Sequence, residues 1–151
     1  MSHPAISAVA AKELSGDGVD VMAGILVAEG LPADDIHEPG RRFFAFFDAA
    51  GTAVGYGGIE AAGPHAALLR SIVVKPLSRR AGHGRAITDW LAAEAKRGGA
   101  QDIYLLTTTA QAFFRRLGFE VVHRAGVPAA IAATRQFSTL CPASAVVMRR
   151  R

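Results

Sequence analysis

The order of the predicted elements favours an α/β domain built on a mixed sheet. Three observations predict this class: an early hairpin over residues 42–60, a buried strand that leads through a glycine turn into a helix, and a strand over 102–108 followed by a short helix. Strands that come first, with helix and strand alternating later, are typical of sheets that mix antiparallel and parallel pairing. We expect residues 1–151 to form one domain, because no linker or repeat divides them.

The first half of the chain predicts a helix and the hairpin. Apolar residues recur at helical spacing over 18–30, with Asp17 as a candidate cap, and residues 31–36 favour a short second helix. Strands are predicted for 42–48 and 52–60, joined by a turn at 49–51. Three glycines interrupt the second strand and indicate a bulge or the close approach of a ligand: Gly55, Gly57 and Gly58.

The segment from residue 69 to residue 86 carries the strongest functional signal. An apolar, β-branched run ends at Val74, and the pattern Arg79-x-x-Gly82-x-Gly84 then precedes a helix that Gly98 and Gly99 should stop. Glycines let backbone N–H groups approach an anion, a helix N-terminus carries a partial positive charge, and arginines add formal charge. This layout predicts a pyrophosphate-binding loop.

Two other phosphate-binding loops do not fit this segment. A P-loop ends in Gly-Lys-Ser/Thr, whereas this loop has Gly84-Arg85-Ala86. A dinucleotide-binding fingerprint needs a small residue where Ile87 stands, and an acidic residue about 20 positions further on, where only Asp102 is near.

The second half of the chain continues the alternation of strands and helices. Leu117-Gly118-Phe119 places glycine at the end of a helix. The remaining predicted elements are a strand over 102–108, helices over 110–116 and 127–134, a loop over 136–142 and a last strand over 145–148.

Together these motifs resemble the GNAT acetyltransferase superfamily. The Arg79-x-x-Gly82-x-Gly84 pattern is similar to its acyl-CoA pyrophosphate signature, and residues 107–119 are similar to its segment Asn-x-x-Ala-x-x-Phe-Tyr-x-x-x-Gly-Phe. Two residues depart from that segment: Thr107 replaces the usual asparagine, and Phe114 replaces the tyrosine that often protonates the leaving thiolate.

The resemblance can be narrowed to a subgroup. It is carried by residues 68–71, 104–107 and 140–145, and by Val127-Pro128 with Thr134 and Phe137. These segments look like the arsenic-resistance N-acetyltransferases, which are named for neighbouring arsenic-detoxification genes. The residues themselves indicate no arsenical substrate.

The resemblance implies a GNAT-type fold with splayed central strands, acetyl-CoA as cosubstrate and a small-molecule amine as acceptor. Pantetheine would lie between strands four and five, against the backbone of Ile72, Val73 and Val74, and Thr107 would join this site. The pyrophosphate would lie on the loop formed by Arg79, Arg80, Ala81, Gly82, His83, Gly84 and Arg85.

Several residues are candidates for the chemical step and for binding the acceptor. Glu60 is the candidate base, because it ends a predicted strand beside the cleft; a solvated charge is the alternative. Arg70 could bind a substrate carboxylate or an oxyanion, or form an ion pair with Glu60. Ser71, a second candidate substrate-binding residue, is expected on the opposite face because side chains alternate along a strand. In place of the missing tyrosine the candidate acids are Tyr104, Thr108, Thr109 and Ser138.

Composition bounds the class of partner. The net charge of +4 favours nucleic acid in general, but arginines cluster at the proposed loop, and 149–151 favours a solvated tail. No apolar run could span a membrane, and the lone Cys141 suits a buried structural role in a reducing cytoplasm. The histidines lack metal-ligand spacing, so we expect no metal, and His83 should be exposed in its loop.

Two alternatives to an enzyme stay open. One is a non-catalytic acyl-CoA sensor on the same fold, because the tyrosine is missing. The other is a basic nucleic-acid-binding module, whose binding would depend steeply on salt. The sequence does not fix the oligomeric state, and a homodimer is one option.

Overall fold

A seven-stranded mixed sheet organises the part of the chain that the computed structural model describes, residues 9–75 and 82–151. The strands lie in the order β1-β2-β3-β4-β5-β7-β6. All neighbouring strands are antiparallel except β4 and β5, which are parallel. This confirms the predicted mixed sheet. The strands are β1 (Ala10–Glu13), β2 (Arg41–Phe47), β3 (Ala53–Ala62), β4 (Ala66–Val74), β5 (Asp102–Thr107), β6 (Glu120–Val122) and β7 (Val146–Arg150).

Four α-helices flank the sheet within the described ranges. They are α1 (Asp17–Ala28), α2 (His83–Arg97), α3 (Gln111–Arg116) and α4 (Ala129–Ala132), with a 3₁₀ turn over Arg124–Gly126 and a π-helical turn over Gln136–Leu140. The helices predicted around residues 18–30, 86–97, 110–116 and 127–134 are therefore present. No helix of the described ranges is long and apolar enough to cross a membrane.

Four local expectations were wrong. Asp17 is the first helical residue, and Gly16 takes the cap position with no side-chain hydrogen bond. Residues 31–33 have no regular structure and 34–37 form a turn, so no helix covers 31–36, and residues 136–140 form the π-helical turn rather than a loop. The predicted solvated tail is largely strand β7, where Arg150 donates to Asp89 and to the Leu117 carbonyl, each at 2.9 Å.

The two faces of the sheet bury separate apolar clusters, because side chains alternate along each strand. Phe44 and Phe46 of β2 face α2 and α3 in the largest cluster, with Leu91. Phe43 faces α1 on the opposite side, in a cluster that includes Met22. Helix α4 covers the same side further along the sheet, where Ile131 packs with Leu68, Tyr104 and Val147.

Glycines in β3 let α2 approach the sheet closely. A Cβ at Gly57 would lie 2.5 Å from the Leu91 Cδ1, and a Cβ at Gly55 would lie 2.3 Å from the Val73 carbonyl oxygen and 2.8 Å from the Ile87 Cδ1. Real side chains do not tolerate such contacts, so these positions require glycine. Sequence had predicted the close approach of a ligand at these glycines, whereas the close approach seen here is that of a helix and of a neighbouring strand.

The pairing of β2 with β3 shifts register at Val54, next to Gly55, where the glycine pattern had indicated a bulge, and a second bulge interrupts β4 opposite these glycines. Gly58 pairs with Arg70, but Tyr56 pairs with Val73, so two residues of β4 lie opposite one of β3. Ser71, within the bulge, has a φ of 58° and is the one non-glycine residue with positive φ in the described ranges. The extra residue breaks the alternation of side chains at this point.

The centre of the sheet splits beyond the first residues of β4 and β5. The two strands pair only from Ala66 with Asp102 to Leu68 with Tyr104. Past that point β4 continues to pair with β3, and β5 continues to pair with β7. The strands therefore splay apart, which confirms the expectation from the resemblance.

Candidate active site

A cavity of about 550 Å³ lies where β4 and β5 separate. Its strand walls are residues 69–74 of β4 and 105–107 of β5. The segments that complete it are 29–32 after α1, Gly84 at the start of α2, 108–110 with Phe113 and Phe114, and the C-terminal residues Gln136, Leu140, Cys141, Pro142 and Ala145. The split in the sheet is therefore the site.

The start of α2 forms one end of this cavity. Gly82 precedes the helix with a φ of 79°, and a Cβ there would meet no heavy atom within 4 Å. Within the described residues no side-chain hydrogen bond caps the helix, and its first N–H groups have no acceptor inside the helix itself. Such an end fits a phosphate group without further support. Arg79, Arg80 and Ala81 of the predicted loop lie outside the described residues.

Three other residues of the predicted loop have distinct places. His83 is the first residue of α2 and is buried, not exposed as expected; its Nδ1 has no hydrogen-bond partner. A Cβ at Gly84 would lie 3.0 Å from the Phe113 Cζ, so this glycine lets α2 and α3 pack together. The Arg85 side chain is exposed, and its Nε lies 3.7 Å from the Asp89 Oδ2. His83 does not line the cavity, so the helix start, and not this ring, is what could hold an anion here.

The predicted pantetheine-binding residues all line the cavity. Ile72, Val73 and Val74 form its β4 wall, although the Val73 side chain is buried in the cluster under α1. Thr107 lies opposite, where its Oγ1 accepts a hydrogen bond from the Ala110 N–H at 3.0 Å. Thr107 therefore shapes the turn into α3 as well as the cavity wall.

The structure separates the candidate acids. Thr108 and Thr109 line the cavity and are exposed. Tyr104 is buried in the cluster under α4, and the Ser138 hydroxyl donates to the Thr134 carbonyl at 2.9 Å; neither lines the cavity. Phe114 lines it with a mostly buried ring that packs edge-on against Phe113 and Phe119.

Arg70 reaches the cavity wall, but its guanidinium is already bound within the fold. It donates to both carboxylate oxygens of Asp35 at 2.6 Å, to Glu60 Oε1 at 3.1 Å and from Nε to the Ser71 Oγ at 3.3 Å. Its side chain is fully buried and lies over the ring of Phe43. The ion pair with Glu60, the alternative left open by the sequence, is thus the observed arrangement.

Glu60 does not line the cavity. Its side chain is only 7% exposed, which also rules out the solvated charge considered from sequence. The carboxylate lies between Arg70 and Arg41, whose Nη2 is 3.4 Å from Oε2. Because two guanidinium groups bind this carboxylate, the geometry favours an ion-pair role over that of a base.

Ser71 lies beside Arg70 instead of on the opposite face. Its hydroxyl accepts the hydrogen bond from Arg70 Nε, and both residues line the cavity. The bulge explains the difference, because a left-handed residue within a strand breaks the alternation on which the expectation rested.

Sequence reasoning missed Asp35 and Arg41. Asp35 is fully buried, and it also accepts from Arg41 Nε at 3.0 Å. Burial alone would raise the pKa of Asp35, but the hydrogen bonds and charges of Arg70 and Arg41 outweigh it and hold that pKa below its ordinary value. Asp35 and Arg70 are 35 residues apart, and no spacing rule connects them.

Cys141 is partly buried in the cavity wall. Its Sγ donates to the Gln136 Oε1 at 3.1 Å, and burial raises the pKa of the thiol. The thiol is therefore protonated near neutral pH. No group of three or more potential metal ligands occurs among the described residues.

Comparison with known proteins identifies the family of this arrangement. Residues 39–121 match the family profile described as acetyltransferase (GNAT) domain. A search of the curated proteins finds no match for the chain.

Solved structures share the fold at low sequence identity. A Mycobacterium tuberculosis protein in complex with CoA is 19% identical, with a TM-score of 0.74 over 93% of this chain and 98% of that one. A GNAT-family acetyltransferase from Staphylococcus aureus is 17% identical, with a TM-score of 0.73 over 95% and 98%.

A larger enzyme contains the same fold as one part. N-acetylglutamate synthase from Neisseria gonorrhoeae, in complex with coenzyme A and N-acetyl-glutamate, is 16% identical with a TM-score of 0.73. The match covers 95% of this chain and 35% of the synthase, so the chain spans about a third of that enzyme's length.

Proposed function

The chain belongs to the GNAT acetyltransferase family, and from this premise we propose that it transfers the acetyl group of acetyl-CoA to the amine of a small molecule. The observation that carries the proposal is the split between β4 and β5, which opens a cavity beside the uncapped start of α2. One opening thus offers an extended slot for a pantetheine arm and an anion site for its pyrophosphate.

Different residues of the chain would bind the pyrophosphate and the pantetheine arm. The N–H groups at the start of α2, with Gly82 and Gly84 before and within its first turn, would hold the pyrophosphate. The backbone of Ile72 to Val74 and the wall at Thr107 would hold the arm. Bound acetyl-CoA supplies the thioester that an amine attacks.

The proton steps need no strong acid in this cavity. The conjugate acid of a leaving thiolate has a pKa of about 8.5, so the thiolate can depart without a dedicated proton donor. Phe114 offers no such donor. The attacking amine must be neutral, and its proton can leave through water at the cavity mouth. Glu60 contributes through Arg70, which it helps to hold.

The class of acceptor is narrowed by resemblance. The Neisseria synthase was solved with N-acetyl-glutamate, and the subgroup resemblance is to arsenic-resistance N-acetyltransferases. We therefore propose amino-acid-like amines, including arsenical ones, as the first acceptors to test.

A second candidate is a non-catalytic acyl-CoA sensor. Two observations favour it: Phe114 stands where the family often has tyrosine, and the Glu60 carboxylate is held by arginines. The sensor would bind CoA in the same cavity without turning it over.

The test combines binding and turnover. Calorimetry should show binding of CoA and acetyl-CoA, and chromatography should show CoA released from acetyl-CoA when an amine of the panel is present. Binding without turnover across the panel supports the sensor. Absence of binding overturns both proposals.

A further inference from the structure

We propose that Asp35, acting through Arg70, is a positioning residue that fixes the β4 bulge in the wall of the cavity. The kinetic test of this proposal rests on the proposed acetyl transfer. A second measurement, the alkylation rate of Cys141, reports on the cavity wall and does not depend on that activity.

The contact between Asp35 and Arg70 joins two cavity walls. Asp35 follows the wall segment 29–32 by three residues, and Arg70 stands in the β4 wall. Two hydrogen bonds of 2.6 Å join the carboxylate and the guanidinium in a forked pair. This geometry fixes orientation as well as distance, because both groups are planar.

The same chain of charges reaches a third wall. Arg41 donates to Asp35 and has its Nη2 3.8 Å from Glu38 Oε1, and Glu38 forms an ion pair with Arg135. Arg135 directly precedes Gln136, which lines the cavity and accepts the Cys141 thiol. Three acids thus alternate with three arginines along one connected path, once Glu60 is included.

The bulge is the part of the site that this path controls. Arg70 Nε donates to the hydroxyl of Ser71, whose φ of 58° is unfavourable for a residue with a side chain. A guanidinium held by Asp35 and Glu60 presents Nε in one direction, and so it holds Ser71 in that conformation. The bulge lies just beyond the last pair between β4 and β5, where the cavity opens.

The position of Asp35 and its satisfied hydrogen bonds argue against a direct chemical role. Asp35 is fully buried and does not line the cavity, and both of its oxygens accept hydrogen bonds from arginines. Buried ion pairs are costly to desolvate, and their best-attested use is to specify one arrangement among several. We therefore assign Asp35 to positioning.

The kinetic experiment compares Asp35→Asn with two matched controls. Asp34→Asn removes the exposed neighbouring carboxylate, and Glu94→Gln breaks an ion pair with Arg42 on the opposite face of the sheet. In Asp35→Asn we expect kcat/KM for the amine to fall by about tenfold or more, while the Kd for acetyl-CoA changes by less than about threefold. Both controls should keep both constants.

A loss that merely tracks stability would show a different pattern. Melting of every variant is recorded, and Glu94→Gln shows what a broken structural ion pair does to kinetics. Equal kinetic loss in Glu94→Gln and Asp35→Asn would overturn the positioning role, as would unchanged kcat/KM in Asp35→Asn. If Asp35→Asn does not fold, the charge-balanced double variant Asp35→Asn with Arg70→Gln takes its place under the same criteria.

The separate readout uses the only thiol in the chain. Cys141 lines the cavity wall at the far end of the charge path, so its alkylation by iodoacetamide reports on that wall without any acetyl transfer. We expect Asp35→Asn, or the double variant, to be alkylated about fivefold faster than wild type and both controls. Equal rates would overturn the proposal even if no amine were a substrate, whereas faster rates with no turnover would count against the proposed function alone.

Discussion

The two ends of the cavity are built from different parts of the polypeptide. At the start of α2 the site consists of backbone: uncapped N–H groups and the glycines Gly82 and Gly84. Near the β4 bulge, at what we call the side-chain end, the wall is backed by buried charged side chains centred on Asp35 and Arg70. The first end has no side-chain cap within the described residues, whereas the guanidinium of Arg70 at the second end donates to Asp35, Glu60 and Ser71.

This contrast teaches how each end can fail. A backbone site tolerates change in the surrounding side chains but not the addition of a side chain where the ligand approaches. A side-chain network tolerates none of its members being removed, because a lost partner leaves a buried charge uncompensated. Substitutions at the two ends should therefore differ in whether affinity or stability changes.

The largest effect is expected at the backbone end. Gly82→Asp adds a side chain at positive φ and a negative charge beside the helix start, and acetyl-CoA affinity should fall by about a hundredfold. Gly51→Asp is the matched control, because Gly51 has a φ of 81°, open space around it and a place in the β2–β3 turn. Calorimetry showing equal affinities for the two variants would remove the pyrophosphate from residues 82–84.

The side-chain end should show itself in the dependence of stability on pH. The pKa of Asp35 is lowered in the folded protein, so an unfolded chain binds more protons, and the unfolding free energy must fall as pH drops below the ordinary value of 3.8. Asp35→Asn should lose about 3 kcal/mol at neutral pH and lose less than wild type on acidification. Urea titrations at about pH 6 and about pH 3 measure both, with Asp34→Asn expected to follow wild type.

A substitution of Glu60 sharpens the distinction between charge network and chemistry. Because its carboxylate lies between two arginines, Glu60→Gln should lower stability by about 1–3 kcal/mol and leave the shape of the pH–rate profile unchanged. Loss of the acidic limb of that profile would restore Glu60 as the base.

Phe114 lies in the cavity wall between the two ends and should give the smallest effect. Phe114→Tyr adds one hydroxyl to a mostly buried ring, and we expect a loss of about 1 kcal/mol without any gain in turnover. Phe47→Tyr is a control at a partly exposed ring outside the cavity. A variant with higher turnover and unchanged melting would show that the hydroxyl reaches the leaving sulfur.

The sequence predicted the backbone end because its information is local. Arg79-x-x-Gly82-x-Gly84 and the helix behind it occupy adjacent positions, and the strands around them have clear apolar patterns. The mixed sheet and the positions of all four helices follow from such patterns, whereas the splayed centre was implied by the family resemblance. The prediction that His83 is exposed was wrong, because the burial of a side chain at a helix start depends on tertiary contacts that the local sequence does not show.

The side-chain end could not be predicted, because the residues that form it are distant from one another in the chain. Asp35 comes from a turn that local pattern had assigned to a helix, and Arg41 directly precedes the strand predicted for 42–48. Ser71 was placed by the rule of alternation, which holds for a regular strand and fails at a bulge. In each case a tertiary contact decided the outcome.

The split finally divides the strand pairing, but not the apolar core, into two blocks joined by a narrow seam. Strands β1–β4 form one block and β5, β7 and β6 the other, and only the pairs from Ala66–Asp102 to Leu68–Tyr104 bond them edge to edge. A ligand that bonds to both strand edges would complete the sheet as an extra strand does in β-augmentation. We expect CoA to slow amide hydrogen exchange in β4 and β5 beyond the seam while β2 exchanges as before, so that the cosubstrate is also a structural member of the sheet.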